Sequence, residues 1–390
     1  MFSNWFLKSF RILLLPFSII YWLTVWIRNF FYDTKILRSS SFGLPIICVG
    51  NLSVGGTGKS PMVEFLIGHL KDKFKPATLS RGYKRKTTGY VLANEHTTSL
   101  DIGDEPMLFH QKFPGVPVAV GEERLVAIPQ LLHDRPDTQV IVLDDAFQHR
   151  AVNAGLNILL TDCGNLFTRD FYLPTGDLRD LKSGYKRADI IVVTKCKFEM
   201  TGEEADKIRN EIQPSSKQQL YFSSIQYGNP YHIINHTPFE LDQDTEVLLV
   251  TGIASPQPLK KLLEEKCRTY QLMSFRDHYI FRIDDLRDIR RRFDRVEAQK
   301  KIILTTEKDA MRLMKFRNEL ERLPVYVIPI SHHFLFEQEM QFIDAVTKFI
   351  KEFKPSGMKE SGAGLPEAQV PARTERVRSG GSDTIPPGRD

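Results

Sequence analysis

With 390 residues, 42% hydrophobic and 26% charged, the chain is too long for one ordinary domain and has apolar material for a sizeable core. This excludes a disordered or disulfide-stapled polypeptide. The four cysteines, Cys48, Cys163, Cys196 and Cys267, have no CxxC spacing, so they read as free thiols of a reducing compartment and exclude a cysteine-based metal site.

The net charge of +5 is uneven: residues 1–40 carry Lys8, Arg11, Arg28, Lys35 and Arg38 against Asp33 alone. Within this basic segment Ile12–Ile27 is uncharged and includes Tyr21, Trp22 and Trp26. A span needs about twenty apolar residues, so this run is short. No small-residue cleavage site follows it, and Pro16 is expected to end or kink a helix there. Aromatic residues near both ends and flanking Arg11 and Arg28 predict a monotopic helix lying in an anionic membrane surface, with a single span or a buried core helix as the alternatives.

Short β-branched runs then alternate with helical stretches: Pro45–Val49, Ala77–Ser80, Val116–Val120, Gln139–Asp144, Asn157–Thr161 and Asp189–Thr194 read as strands. Such a series predicts a parallel sheet covered on both faces. After the first strand comes Gly50-Asn51-Leu52-Ser53-Val54-Gly55-Gly56-Thr57-Gly58-Lys59-Ser60-Pro61. A strand, a glycine-rich loop ending in Gly-Lys-Ser and a helix form a cradle for nucleotide phosphates. Loop amides wrap the phosphates, Lys59 reaches the β/γ oxygens and Ser60 ligates magnesium. The predicted nucleotide-binding set is Asn51, Val54, Gly55, Gly56, Thr57, Gly58, Lys59 and Ser60. Ser53 stands where the pattern usually has glycine, and Gly55 and Gly56 supply the permissive backbone instead.

Gln139–Leu143 ends in Asp144 and Asp145, acids placed to hold magnesium beside the loop, and His149 follows four residues on. The basic run Lys71–Lys86 suits lipid headgroups or a substrate phosphate. It lacks interleaved stacking aromatics in the quantity that nucleic acid would require. Around Gln219–Asp244 the pattern breaks into shorter pieces that read as a linker or hairpin. A second set follows with strands at Glu246–Thr251, Lys301–Thr305 and Pro324–Ile328. From Pro355 nothing can bury a core. The expected division is therefore an anchor helix (1–40), a P-loop kinase domain (41–220), a linker (221–245), a smaller α/β lobe (246–354) and a disordered tail (355–390). The fold class is α/β, a P-loop NTPase-type mostly parallel sheet with a second, smaller lobe.

Taken in order, the phosphate loop, Ser80-Arg81-Gly82-Tyr83, Gly103-Asp104-Glu105-Pro106, Asp144-Asp145-Ala146-Phe147-Gln148-His149, Leu178-Arg179-Asp180 and Thr305-Thr306-Glu307-Lys308-Asp309 resemble the tetraacyldisaccharide 4′-kinase (lipid A 4′-kinase) family of Gram-negative bacteria. The resemblance runs from the start of the chain to about residue 350. It implies ATP and Mg²⁺ as cofactors and a lipid disaccharide 1-phosphate as acceptor. It also implies a monomer on the cytoplasmic face of the inner membrane. Asp104 is implied as proton acceptor, oriented by His278. Lys59 and Asp145 join them as catalytic residues, and Ser60, Asp144, Asp145 and Asp180 as the metal set. Arg81, Tyr83, Arg124, Arg179 and His149 are expected to hold substrate or phosphate. Ala146 replaces the family's usual glycine and Asp180 its usual glutamate, while Arg276-Asp277-His278-Tyr279 leaves one histidine where two are common. A membrane-associated ATPase switch is the alternative. Its signature lysine precedes the two glycines, and here that residue is Val54.

Overall fold

The computed structural model describes residues 11–355 apart from Ala254 and His278. Helix α1 (Leu15–Asp33) holds Pro16 in its first turn, so the proline begins the helix rather than ending it. An amide hydrogen missing there has no intrahelical acceptor to lose. Among the described residues no helix is long and apolar enough to cross a membrane.

Strand β1 (Ile46–Asn51) leads through the phosphate loop into α2 (Lys59–Leu70). There follow β2 (Pro76–Ser80), β3 (Val91–Leu92), α3 (Ser99–Ile102), α4 (Asp104–Lys112), β4 (Val118–Val120), α5 (Arg124–Asp134) and β5 (Val140–Asp144). Next come β6 (Leu156–Asp162), β7 (Ile190–Thr194), α6 (Gly202–Ile212), β8 (Gln219–Tyr227) and β9 (Tyr231–His232). The later elements are β10 (Glu246–Thr251), α7 (Gln257–Lys266), β11 (Thr269–Ser274), α8 (Ile283–Asp294), β12 (Lys301–Thr306), α9 (Glu307–Leu313), α10 (Arg317–Leu320), β13 (Val325–Ile328), β14 (Ile330–Phe334) and α11 (Glu339–Glu352).

Nine strands form one sheet in the order β14-β8-β7-β6-β1-β5-β2-β4-β3, parallel except at its two edges, β14 and β3. The smaller sheet runs β11-β10-β12-β13-β9, with only β9 antiparallel. The interior strands of the large sheet are apolar on both faces because helices cover both. Gln219–Tyr227, whose polarity reads as the start of a linker, is a strand of the large sheet. Its Ser223 and Ser224 are buried but satisfied, through the His332 ring at 3.0 Å and the Cys196 carbonyl at 2.6 Å. After the small sheet the chain returns, and β14 and α11 close an aromatic cluster with α2. Phe334 stacks on Phe342 at 4.6 Å, and Phe65 and Tyr221 pack against the pair.

Charge joins the two sheets as well. Lys112 of α4 lies between Glu64 of α2 and Glu307 of α9, at 2.5 Å from the latter, and both carboxylates are buried. Burial and the neighbouring Glu307 push the Glu64 carboxyl up to about 7, against the pull of Lys112.

Strand β1 crosses so close to the turn after β5 that only glycine fits at its fifth position. A Cβ at Gly50 would lie 2.5 Å from the Phe147 Cβ and 3.0 Å from its amide nitrogen. Gly50→Ala is expected to destabilise the chain by about 1–3 kcal/mol through overpacking, read as a lower melting temperature. An unchanged melting temperature would show that the 147–149 turn gives way freely.

Candidate active site

β1 lies between β6 and β5 while the chain's next strand, β2, pairs beyond β5. The strand order reverses at this point, which opens a crevice at the carboxyl ends of β1 and β5. The phosphate loop fills it. Gly55 and Gly58 have φ of 105° and 86°, a region open to glycine at little cost, and Gly58 caps α2. Asn51 is fully buried and donates to the Thr57 hydroxyl at 2.9 Å, bracing the loop from within. Thr57 offers its carbonyl to Thr194 of β7 at 2.8 Å. The Gly58 carbonyl is 2.9 Å from Nε2 of His332 on β14. A carbonyl only accepts, so Nε2 carries a proton, and Nδ1 faces the Ser223 hydroxyl. Burial holds the His332 pKa down to about 4.

Lys59 and Ser60 open α2, with Lys59 Nζ 3.7 Å from Asp145 Oδ1 and Ser60 buried. Burial lowers the lysine's pKa, opposed by Asp145. The register pairs Val49 with Asp144, so the acid pair leaves β5 beside the loop. Asp144 is pushed up to about 7, by burial first and then by Asp145 and Glu105, and its Oδ1 is buried with no hydrogen-bond partner. An orphaned carboxylate oxygen beside a phosphate loop fits a divalent cation, which would supply the missing partner and remove the penalty on the charge. Among the described residues no three acidic, histidine or cysteine side chains gather into a metal cluster. Two protein ligands and a water-rich shell suit magnesium.

Asp145 is different. Burial raises its pKa, but the hydrogen bonds of Arg179 and the charge of Lys59 outweigh that and leave it lowered. Its φ is 50°, so the left-handed backbone of this turn falls on Asp145 and not on Ala146, and the residue that replaces the family's glycine carries no strain. Arg179 grips both Asp145 oxygens, with Nη1 at 3.1 Å from Oδ2, and also donates to Asn51 Oδ1 at 2.5 Å.

Asp104 is the first residue of α4, next to Glu105, whose charge acts on Asp144. Asp104 accepts from Nε of Arg312 at 2.8 Å, while Arg312 Nη1 donates to the fully buried Asp309 at 3.0 Å. Asp309 is fixed in turn by the Gly252 amide and by the hydroxyls of Thr251 and Thr306. Next to Asp104, Glu105 accepts from Lys308 at 2.8 Å. Burial alone would lower the Lys308 pKa, but Glu105 and Asp144 raise it overall. Helix α9 of the small sheet thus sends two cations onto α4, beside the acid pair. Arg312 and Lys308 carry no local motif that marks them for this, although Lys308 lies in the Thr305–Asp309 stretch.

The other expected residues divide. Arg81 is exposed after β2, within electrostatic reach of Arg124 and His149, and Tyr83 is exposed with Lys84 over its ring. His149 is half-buried with an unpartnered Nε2, and burial followed by Arg124 lowers its pKa, keeping it neutral. Arg124 is 2% exposed, with its guanidinium donating to the Gly121 and Glu122 carbonyls at 2.9 and 3.2 Å and lying 3.5 Å from that of Asp144, so it braces the turn that carries the acid pair, while its Nε has no hydrogen-bond partner. Asp180 is 1% exposed, with Oδ2 paired to Arg187 at 2.6 Å and Oδ1 accepting from Asn29 and the Leu181 amide, both at 2.8 Å, so both oxygens already have partners within the protein. The basic run splits between the ends of β2, with only Arg81–Lys86 on the side of the loop. His278, residues 1–10 and the expected tail beyond Pro355 lie outside the described residues.

Parallel strands, a glycine loop opening a helix with Lys-Ser and a carboxylate at the tip of the adjoining strand define a P-loop NTPase-type phosphate site. Comparison with known proteins narrows the class. Residues 10–351 match the family described as Tetraacyldisaccharide-1-P 4'-kinase (LpxK). The chain is 45% identical over 359 residues to the Tetraacyldisaccharide 4'-kinase of Parabacteroides distasonis, covering 88% of this chain and 95% of that one. It is 43% identical to that of Bacteroides thetaiotaomicron, covering 87% and 93%. A crystal structure of LpxK from Aquifex aeolicus in complex with ATP is similar at a TM-score of 0.68 and 29% identity, covering 87% of this chain and 99% of that one. The chain belongs to the tetraacyldisaccharide-1-P 4'-kinase family.

The raised pKa of Asp144 has a measurable consequence. Against its ordinary value of 3.8, a folded value of about 7 destabilises the unliganded protein increasingly as pH rises from about 4 to 7, fully above that. Asp144→Asn is therefore expected to raise the melting temperature at pH 8, a gain on the order of 3–4 kcal/mol that fades towards pH 4. Equal melting temperatures at pH 8 would show that the carboxylate is not strained.

Proposed function

We propose that this chain carries out its family's reaction, moving a phosphoryl group from ATP to the 4′-hydroxyl of a tetraacyldisaccharide 1-phosphate, and that it does so at a membrane surface. The product is the 1,4′-bisphosphate of lipid A biosynthesis. The observation that supports the assignment of roles is that Glu105, next to Asp104, is close enough to raise the Asp144 pKa, and that Lys308, which Glu105 holds, acts on both Asp144 and Lys59.

The loop amides and Lys59 hold the triphosphate, and the α2 N-terminus adds positive potential. Ser60 and Asp144 would hold magnesium, with Asp145 beside them. When bound, that ion neutralises charge on the β/γ oxygens. Asp104 takes the proton of the attacking hydroxyl. Arg312 fixes its carboxylate, and the resemblance adds His278 as an imidazole partner. Arg179 is poised to exchange Asp145 for a phosphate oxygen, since its fork suits either anion. Arg81 and Tyr83 would hold substrate or phosphate, and His149 would lie near the metal and orient it.

Membrane attachment is supported by α1. Ten of its nineteen residues are large apolar side chains that are exposed, and Ile36 and Leu37 extend the surface beyond it. An apolar surface of this kind, unpaired in water, fits insertion to the depth of the headgroup boundary, with Arg11 and Arg28 nearby for anionic lipid. Replacing Phe17, Ile20 and Trp26 together by Glu is expected to abolish co-sedimentation with phosphatidylglycerol vesicles. Retained co-sedimentation would overturn the anchor.

For the chemistry, Asp104→Asn is expected to lower kcat by about 10²–10⁴-fold in transfer of γ-labelled phosphate to detergent-dispersed lipid, with ATP affinity unchanged. Full turnover in that variant would remove Asp104 as the base. Lipid-independent ATP hydrolysis with no transfer by the native chain would overturn the kinase reading itself.

A further inference from the structure

Helix α1 is inside out: its buried residues are Ser18 and Asn29, and its apolar side chains face away from the protein. The polar side touches two segments: residues 172–180, whose other side touches the phosphate loop, and residues 148–150, through Arg28 to the Gln148 carbonyl and Arg150 to Asn29 and Asp33. The Ser18 hydroxyl accepts from the Thr175 amide at 3.0 Å. Tyr21 donates to the Arg179 carbonyl at 3.0 Å, and Asn29 donates to Asp180 at 2.8 Å. Beyond the first segment, the Val54 amide donates to the Asp177 carbonyl at 2.7 Å and the Arg179 amide to the Leu52 carbonyl at 2.8 Å. The Arg179 guanidinium then reaches Asn51 and Asp145. One residue therefore offers its carbonyl to α1, its amide to the phosphate loop and its side chain to the acid pair.

We propose that Tyr21 and Asn29 are positioning residues that link lipid binding by α1 to nucleotide binding, acting through Arg179 and Asp180. This rests on the membrane reading above. Docking of α1 and its insertion reinforce one another. An inserted but undocked helix would carry Ser18, Tyr21 and Asn29 towards lipid without partners, which is unfavourable for each polar group. A docked helix without lipid leaves its apolar side in water. Lipid thus favours the docked state, in which residues 177–180 brace Leu52 and Val54 and Arg179 is aligned on Asp145. Linkage requires the reverse effect by the same factor, so nucleotide strengthens vesicle binding.

The test measures binding of a fluorescent ATP analogue to the full chain with and without phosphatidylglycerol vesicles, and co-sedimentation with and without the nucleotide. The native chain is expected to bind nucleotide at least about fivefold more tightly on vesicles, with a matching gain in co-sedimentation. The Tyr21→Phe/Asn29→Ala variant keeps its apolar face, so it is expected to co-sediment and to keep the vesicle-free nucleotide affinity while losing the vesicle-dependent gain. Tyr21→Phe alone, which deletes one hydroxyl, is expected to lose part of that gain and serves if the double variant does not fold. Equal nucleotide affinity with and without vesicles in a native chain that co-sediments would overturn the coupling and leave the anchor standing. So would a full gain in the variants. A native chain that fails to co-sediment would overturn both.

Discussion

The parallel pairing of β1 with β5 is the constraint from which the site follows. It sets Val49 opposite Asp144, so the strand that launches the phosphate loop and the strand that ends in two acids finish side by side. A slip of one residue would turn the side chains of the slipped strand to the other face of the sheet. Gly50 permits the close approach and Arg124, buried under the turn, secures the carbonyls around it. Lys59 then meets an acid pair already in place, and the electrostatics of the crevice are fixed by backbone register before any ligand arrives.

That crevice is held in an uncomfortable charge state. Asp144 is buried with an unpartnered oxygen, Asp145 sits in left-handed backbone under two cations, and His149 stays neutral beside Arg124. Buried charges of this kind are badly solvated, and the remainder of the fold supplies the stability that this region lacks. The apolar strands and the aromatic cluster of Phe65, Tyr221, Phe334 and Phe342 are where it resides.

The parts of this arrangement that could be read from the sequence are the local ones. Continuous apolar runs such as Gln139–Asp144 give strands because both sheet faces are covered, and the phosphate loop is legible because strand, glycines, lysine and serine are contiguous. The expected family follows from motifs of the same contiguous kind. What escapes is partnership at a distance. Arg312 reaches Asp104 across 208 positions, and nothing near either residue announces it. Arg124 and Asp180 have the side chains of phosphate and metal ligands, yet carbonyls occupy one and Arg187 with Asn29 the other. Type alone does not say which partner a buried fork or carboxylate has already taken. Gln219–Tyr227 fails as a readable strand for a related reason, because its serines are polar but satisfied.

The contact between His332 and the Gly58 carbonyl spans 274 positions and joins the first loop of the sheet to its last strand. During synthesis the loop must wait for that strand. At 5–20 residues per second the interval is roughly 15–55 s, during which α1, made first, is already free of the ribosome. The phosphate cradle is thus a late product of translation and the apolar helix an early one. The chain presents its exposed apolar surface well before its phosphate loop has the strand that secures it.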